Sequence, residues 1–461
     1  MVHKLAMGEL SVSPTPLPNH RQGPPLKVLF LSADTGGGHR ASAESLAQQL
    51  TRLFPGSTYD LLDVCTHQPG IVWPYRELAP MYQQIFSVHP RMWQAFYHAT
   101  NSRFGRWIVD THSTYFCQAA VRKLIAAYDM DVVISVHPGM NCVPLAAIPK
   151  LRQERNKDIP FFTVVTDLAE GHFSWFHPDV DKVYVASEQM YKLASSRCPI
   201  PDQKIHLTGG LPIRHAFAEA AAKLGDRTTA DGQAYQRQVR VELKIKTECR
   251  VLLVMGGGEG VGFLAAIVEE CYRQLVKAGV NATMCVVCGR NETLQRKFKD
   301  QDWSNVLNAK PRTVNRCCRG GGQQRQVSNN QTNFGHVHVI PLGFITNMAD
   351  YMVAADVLIT KAGPGTIAEA AALGLPVMLT SFLPGQEAAN VDFVTKDLGF
   401  GAFNQDVVDI ASEITSWCQH PNVLEELSRR AKGNPSAAEE IIWDIGSLTH
   451  QCLKKKRQEE R

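Results

Sequence analysis

The 461-residue sequence has no run of 18 or more apolar residues, so no transmembrane helix is expected. It lacks an excess of charge. The net value is only +4, which argues against a dedicated nucleic-acid binder and leaves room for local basic patches. Its twelve cysteines have no regular spacing, so a disulfide framework is not expected and a reducing compartment is. The pair Cys285 and Cys288 in "CVVC" lies inside an apolar run, which suits core packing better than zinc. In the block 355–394 nothing resembles a metal-ligand cluster. The first 25 residues lack the apolar core of a secretory signal and are poor in arginine for a transit peptide. They read as a disordered leader with no targeting class assigned.

What is present is globular: 44% apolar and 20% charged residues, in a chain long enough for two domains. "KVLFLSA", "DVVISVHP", "FFTVVTD" and "KVYVAS" read as strands in the first half. "RVLLVMGGG", "TMCVVCG", "HVHVIPL", "DVLITKAG" and "PVMLTSF" read as strands in the second. Helical patterns fall between them, as at 41–53, 116–128, 264–278 and 366–373. Continuous apolar strands alternating with helices predict parallel sheets covered on both faces. The fold class is therefore α/β, with two doubly wound Rossmann-like domains. The expected order is a leader 1–25, an N-terminal domain 26–215, a linker 216–248, a C-terminal domain 249–435 and a C-terminal helix with a charged tail 436–461. Residues 311–335 are polar and non-periodic, and read as a mobile insertion.

Each half carries a glycine-rich turn after its first strand. In "SADTGGGHRASAESL", Gly36, Gly38 and Ala41 fit a dinucleotide fingerprint, with Asp60 and Asp63 about 20 residues on. That pattern is short and does not account for His39. An imidazole at the carboxyl edge of a sheet can take a proton, with Asp34 as its candidate orienting partner; the alternative is a helix-capping histidine. In "MGGGEGVG", consecutive backbone amides suit a pyrophosphate, or form a tight turn. The block 355–394 holds "TKAGPGTIAEA" and "PGQEAAN". Thr366 and Glu369 there fit a capping box. Thr, Gln and Glu side chains at successive strand ends equally suit ribose and sugar hydroxyls.

Residues 71–107 interleave nine aromatics with Arg76, Arg91, Arg103 and Arg106. This pattern suits an anionic membrane surface or an ordinary core helix pair. "TDLAEGHFSWFHPD", with His172, Trp175 and His177, is a strand-end loop that could line an acceptor mouth or simply pack.

Together these segments, with "ISVHPGMNCVPL", "VVCGRN" and "GFITNMADYMVAADVLI", resemble the monogalactosyldiacylglycerol synthases of glycosyltransferase family 28, over roughly residues 26–435. The bacterial peptidoglycan GlcNAc transferase is a more distant relative. The resemblance implies a GT-B fold and an inverting transfer of galactose from UDP-galactose to diacylglycerol, without a required metal or cofactor. It implies anionic phospholipid as activator and peripheral attachment to the plastid (chloroplast) envelope. Carried over by position, His39 is the general base. Gly257 and Gly258 lie near the pyrophosphate, and Phe344 and Ile345 flank uracil. Gly365 and Thr366 face the phosphates, Glu369 binds ribose, and Gln386, Glu387 and Asn390 read the sugar. Gly37, Gly38, Pro74, Pro80 and Trp175 fall in acceptor or lipid-activator regions. The 311–335 insertion and the short leader depart from the family pattern. A UDP-glucose or UDP-GlcNAc lipid transferase, an NAD-dependent dehydrogenase and a catalytically silent nucleotide-binding membrane protein stay as alternatives. The oligomeric state is open, a homodimer included.

Overall fold

The computed structural model describes residues 22–33, 37–64, 66, 68, 70–73, 75–77, 90–198, 200–256, 261–308 and 334–459. The N-terminal sheet contains β1 (Lys27–Leu31), β2 (Thr58–Leu62), β3 (Val132–Ser135), β4 (Phe161–Val164), β5 (Lys182–Val185) and β6 (Ile205–Leu207). Its order is β2-β1-β3-β4-β5-β6, and every pairing is parallel. The C-terminal sheet contains β7 (Arg250–Met255), β8 (Ala282–Val287), β9 (Val337–Leu342), β10 (Val357–Thr360), β11 (Val377–Leu379) and β12 (Gly401–Phe403). Its order is β12-β11-β10-β7-β8-β9, again all parallel. β3, β4 and β10 are buried along their whole length, because helices cover both faces of a parallel sheet.

The strand order reverses beside β1 in the first sheet and beside β7 in the second. At such a reversal the connections leave in opposite directions and open a crevice at the carboxyl ends of the strands, where ligands bind. The segment after β1 carries His39, and the segments after β7 and β10 carry the second glycine turn and "KAGPGT". The sequence thus delivers its candidate residues to the two crevices.

One expectation needs correction. The stretch 216–248 is not a free linker. It forms helices His215–Leu224 and Ala230–Glu242, and Phe217, Ala220, Leu224 and Val239 are buried in one core with Leu253, Met352 and Leu375. Its charged residues misled the reading, because they serve as internal clamps. The buried Arg227 guanidinium donates to the Met352, Ala355 and Leu373 carbonyls. Arg240 pairs with Asp356 at 2.9 Å.

The expected C-terminal helix is present, and it does more than carry a charged tail. Helix Ala437–Glu459 crosses back to the N-terminal domain, burying Ala438, Ile441, Ile442 and Ile445 against Val28, Phe30 and Leu46. Each isoleucine buried there contributes about 1.5–3 kcal/mol relative to exposure. Asp444 accepts hydrogen bonds from Lys182 Nζ at 2.6 Å and the Tyr184 hydroxyl at 2.7 Å. The end of this helix, at Lys454 and Lys455, is exposed as expected.

Candidate active site at the strand-order reversals

Helix Gly37–Leu53 begins directly after the first glycine turn, and His39 is its third residue. Among the described residues, a methyl placed on Gly38 would meet no atom within 4 Å. His39 Nδ1 lies 3.1 Å from the Val136 carbonyl oxygen and 2.7 Å from Thr166 Oγ1. A carbonyl only accepts, so Nδ1 must carry the proton. Nε2 then holds the free lone pair. Burial lowers the His39 pKa from 6.5 to about 4, partly opposed by the Val136 hydrogen bond. The ring is therefore neutral across the physiological range.

The surroundings fix this arrangement. The His137 ring meets His39 edge-on with centroids 4.6 Å apart. Its Nδ1 accepts from the Gly139 amide at 3.1 Å, and burial pushes its pKa well down. Trp175 is fully buried, 6.0 Å from the His39 ring centroid, and its Nε1 donates to Asp167 Oδ2 at 2.6 Å. Burial raises the Asp167 pKa to about 7; the Trp175 hydrogen bond opposes this, and the charges of Glu387 and Glu170 add to it. Of the expected orienting groups, Asp34 lies outside the described residues. Among the described residues, Val136 and Thr166 hold the imidazole through Nδ1. His172 and His177 do not join this cluster: His172 Nε2 reaches Thr100 Oγ1 at 3.2 Å, and His177 sits by Asp179.

In the other crevice, helix Pro364–Ala372 starts with proline at its first position and Gly363 as its cap, with no side-chain capping bond. Proline loses nothing there, since that amide would be unpaired anyway. The capping-box reading of Thr366 and Glu369 is thereby corrected, since Thr366 is inside the first turn. Glu369 turns to Arg214, whose Nε and Nη2 reach Oε1 at 3.0 and 2.9 Å. Burial raises the Glu369 pKa and Arg214 opposes the rise. Among the described residues, a methyl on Gly365 would also meet nothing within 4 Å, which leaves room for a ligand at the start of this helix.

The remaining assigned residues divide. Glu387 is buried, bonded to Lys361 Nζ at 2.7 Å and to the Leu383 amide at 2.8 Å. Asn390 is buried across the domain junction, donating to the Ala362 carbonyl at 3.0 Å and accepting from the Ala169 amide at 3.3 Å. Gln386 is half-buried. Phe344 is exposed, with the Arg290 guanidinium 5.5 Å from its ring centroid, and Ile345 beside it is half-buried. Gly257, Gly258, Pro74, Pro80 and most of the 311–335 insertion lie outside the described residues. Gly37 is described only as the first residue of its helix.

Residues 39–213 match the model of the monogalactosyldiacylglycerol (MGDG) synthase family. Residues 251–441 match the glycosyltransferase family 28 C-terminal domain. The chain is 33% identical over 447 residues to "Probable monogalactosyldiacylglycerol synthase 2, chloroplastic" of Oryza sativa subsp. indica, covering 95% of this chain and 84% of that protein. The chain belongs to the monogalactosyldiacylglycerol synthase family. Monogalactosyldiacylglycerol synthase 2, chloroplastic, of Arabidopsis thaliana is 32% identical over 438 residues, with 92% of this chain and 81% of that one covered. Among solved structures, MurG of Acinetobacter baumannii superposes with a TM-score of 0.55 at 15% identity, covering 92% of this chain and 100% of that chain. That likeness supports the two-domain fold.

The chain is thus a galactosyltransferase of the MGDG synthase family, and the dinucleotide reading of the first glycine turn is set aside. Among the described residues of this glycosyltransferase, no three His, Cys, Asp or Glu side chains come together as a metal site. Within the same set, no helix is long and apolar enough to cross a membrane. The aromatic stretch is not simply a core helix pair. Helices Pro90–Thr100 and Arg103–Ala126 expose Met92, Phe96, Phe104, Trp107, Ile108 and Tyr115. On the second helix Phe104, Ile108 and Tyr115 form one stripe, opposite the buried Ser113 and Cys117. An apolar stripe facing outward marks a contact surface.

Sequence reasoning missed Thr166, His137, Asp167 and Arg214. Thr166 and Asp167 stood in the quoted strand end "FFTVVTD", and His137 in "DVVISVHP". Nothing in spacing links Thr166 to His39 or Arg214 to Glu369, each more than 100 positions away.

Proposed function

We propose that this chain transfers galactose from UDP-galactose to the free hydroxyl of 1,2-diacylglycerol, with inversion at the anomeric carbon. The observation that carries this reading is His39: its Nδ1 proton is engaged by Val136, leaving Nε2 as a bare acceptor at the reversal beside β1. Nε2 takes the proton of the acceptor hydroxyl as its oxygen bonds to the anomeric carbon. The bond from that carbon to the β-phosphate oxygen breaks, and UDP leaves with the electron pair. Its charge is met by the backbone amides of the second glycine turn, at Gly257 and Gly258, and by the start of helix Pro364–Ala372 at Gly365 and Thr366. Glu369 takes the ribose hydroxyls, Phe344 and Ile345 flank uracil, and Gln386 with Glu387 and Asn390 shapes the sugar subsite. No metal is assigned a step.

The exposed stripe of Phe104, Ile108 and Tyr115, with Trp107 beside it, seats the enzyme on the membrane that supplies diacylglycerol, as aromatic residues do at headgroup level. Anionic phospholipid acts as an activator at that surface, with Trp175 in the acceptor region beside it. The curated relatives are named chloroplastic, which supports a peripheral place on the plastid envelope. The test is incubation of the purified chain with radiolabelled UDP-galactose, diacylglycerol and phosphatidylglycerol. Label in monogalactosyldiacylglycerol is expected. Label transfer from UDP-glucose or UDP-GlcNAc alone would replace the donor assignment, and no lipid-soluble label from any donor would sink the reading.

A further inference from the structure

Tyr97 is 3% exposed and joins parts of the molecule that the mechanism treats separately. It lies on helix Pro90–Thr100 of the N-terminal domain, while its ring packs on Gly385 of the C-terminal domain. A methyl on Gly385 would lie 3.4 Å from Tyr97 Cδ1 and 3.6 Å from Cγ. Gly385 also has φ of +89°, a left-handed conformation that glycine adopts without penalty. The next two residues are Gln386 and Glu387, the sugar-subsite side chains.

The same helix reaches outward and toward His39. Met92 and Phe96 of the same helix are 60% and 51% exposed. At the helix end, Thr100 Oγ1 meets His172 Nε2 at 3.2 Å. Asn101 Oδ1 accepts from the Phe173 amide at 2.7 Å and from Arg197 Nη1 at 3.2 Å. These bonds hold the loop that carries Trp175 against His39. A shift of this helix would therefore be felt at Gly385 as a packing contact, since close-packed interiors transmit displacement.

We propose that Tyr97 is a positioning residue that transmits seating of helix Pro90–Thr100 on a lipid surface to the sugar loop at Gly385–Glu387. The inference rests on the membrane and donor readings above. It adds that the lipid surface sets the galactosyl subsite directly, apart from supplying the acceptor. Nucleotide contacts belong to other segments, so the coupling acts on the sugar and spares UDP.

The experiment is calorimetric titration of UDP-galactose and of UDP, with and without diacylglycerol-free vesicles of phosphatidylcholine and phosphatidylglycerol. Vesicle flotation is run in parallel. In the wild type and Tyr97→Phe, which keeps the packed ring, vesicles raise UDP-galactose affinity about fivefold or more, a usual size for coupling between sites, and leave UDP unchanged. Tyr97→Ala loses that rise while floating as the wild type does. Tyr97→Leu keeps an apolar side chain in the buried position and serves if the alanine variant does not fold; it too loses the rise. A rise retained in these variants, a rise shared equally by UDP, or none in the wild type overturns the inference. Failure of the wild type to float would instead defeat the membrane reading. Failure to bind UDP-galactose under either condition would defeat the donor reading, and the inference falls with either.

Discussion

At the reversal beside β1, the strand ends present an imidazole with one nitrogen bonded and the other without a partner among the described residues, held by Val136, Thr166 and His137. At the reversal beside β7, they present an open helix start and a carboxylate, Glu369, gripped by Arg214. The scaffolds are nearly the same, since both are six-stranded parallel sheets with one reversal. The difference lies in what each reversal offers. Activating a hydroxyl needs a lone pair, which only a side chain such as histidine supplies near neutral pH. Stabilising a departing diphosphate needs donors, which backbone amides supply without a titratable group. Under the proposed function, two similar crevices divide the work of one displacement.

That division predicts different kinetic signatures. His39→Ala should lower kcat about 100- to 10,000-fold, the usual worth of a general base, with UDP binding measured by calorimetry unchanged. Glu369→Ala should raise the KM for UDP-galactose roughly 10- to 100-fold, as expected for losing hydrogen bonds to a charged group, with a much smaller change in kcat. Equal losses of both parameters in both variants would erase the contrast. Outside the crevices, Phe104→Ser with Trp107→Ser should cut vesicle partitioning about tenfold or more, from roughly 1.5–3 kcal/mol of apolar burial per large side chain. Flotation is the measurement, and the melting temperature should not change.

The smallest effect concerns Asp167. Its carboxyl loses its proton near 3.8 when unfolded and near 7 in the fold. Between those values the folded state binds more protons, so stability falls as pH rises through the window and stays lower above it. Asp167→Asn removes that loss and can still accept from Trp175. Thermal melts should show the variant about 2 °C above wild type at pH 8 and close to it at pH 4.

The central strands were legible because buried parallel strands are continuous apolar runs, as in "VVIS" and "VLIT". β2, β6 and β12 were not. All three are edge strands; two have only three residues, and β2 exposes four of its five. The apolar face of helix Ala437–Glu459 gave no hint of its partner, since Ile441 meets Val28 and Phe30 from the opposite end of the chain. In the site, the position of His39 was legible as a histidine at a strand end. Its tautomer was not, because Val136 and Thr166 lie 97 and 127 residues away. The charged stretch 216–248 misled for the reverse reason: Arg227 and Arg240 are buried, held by carbonyls and, for Arg240, by an ion pair with Asp356, an outcome composition does not reveal.

The central claim is that His39 is neutral at pH 7, protonated on Nδ1 and bare on Nε2. Nitrogen-15 NMR of histidine-labelled protein, with the His39 resonances identified by their loss in His39→Gln, reads this directly. The expected spectrum shows a protonated Nδ1 and an unprotonated Nε2 at pH 7. An Nε2-protonated ring, or an imidazolium at that pH, would contradict the assignment of His39 as the base.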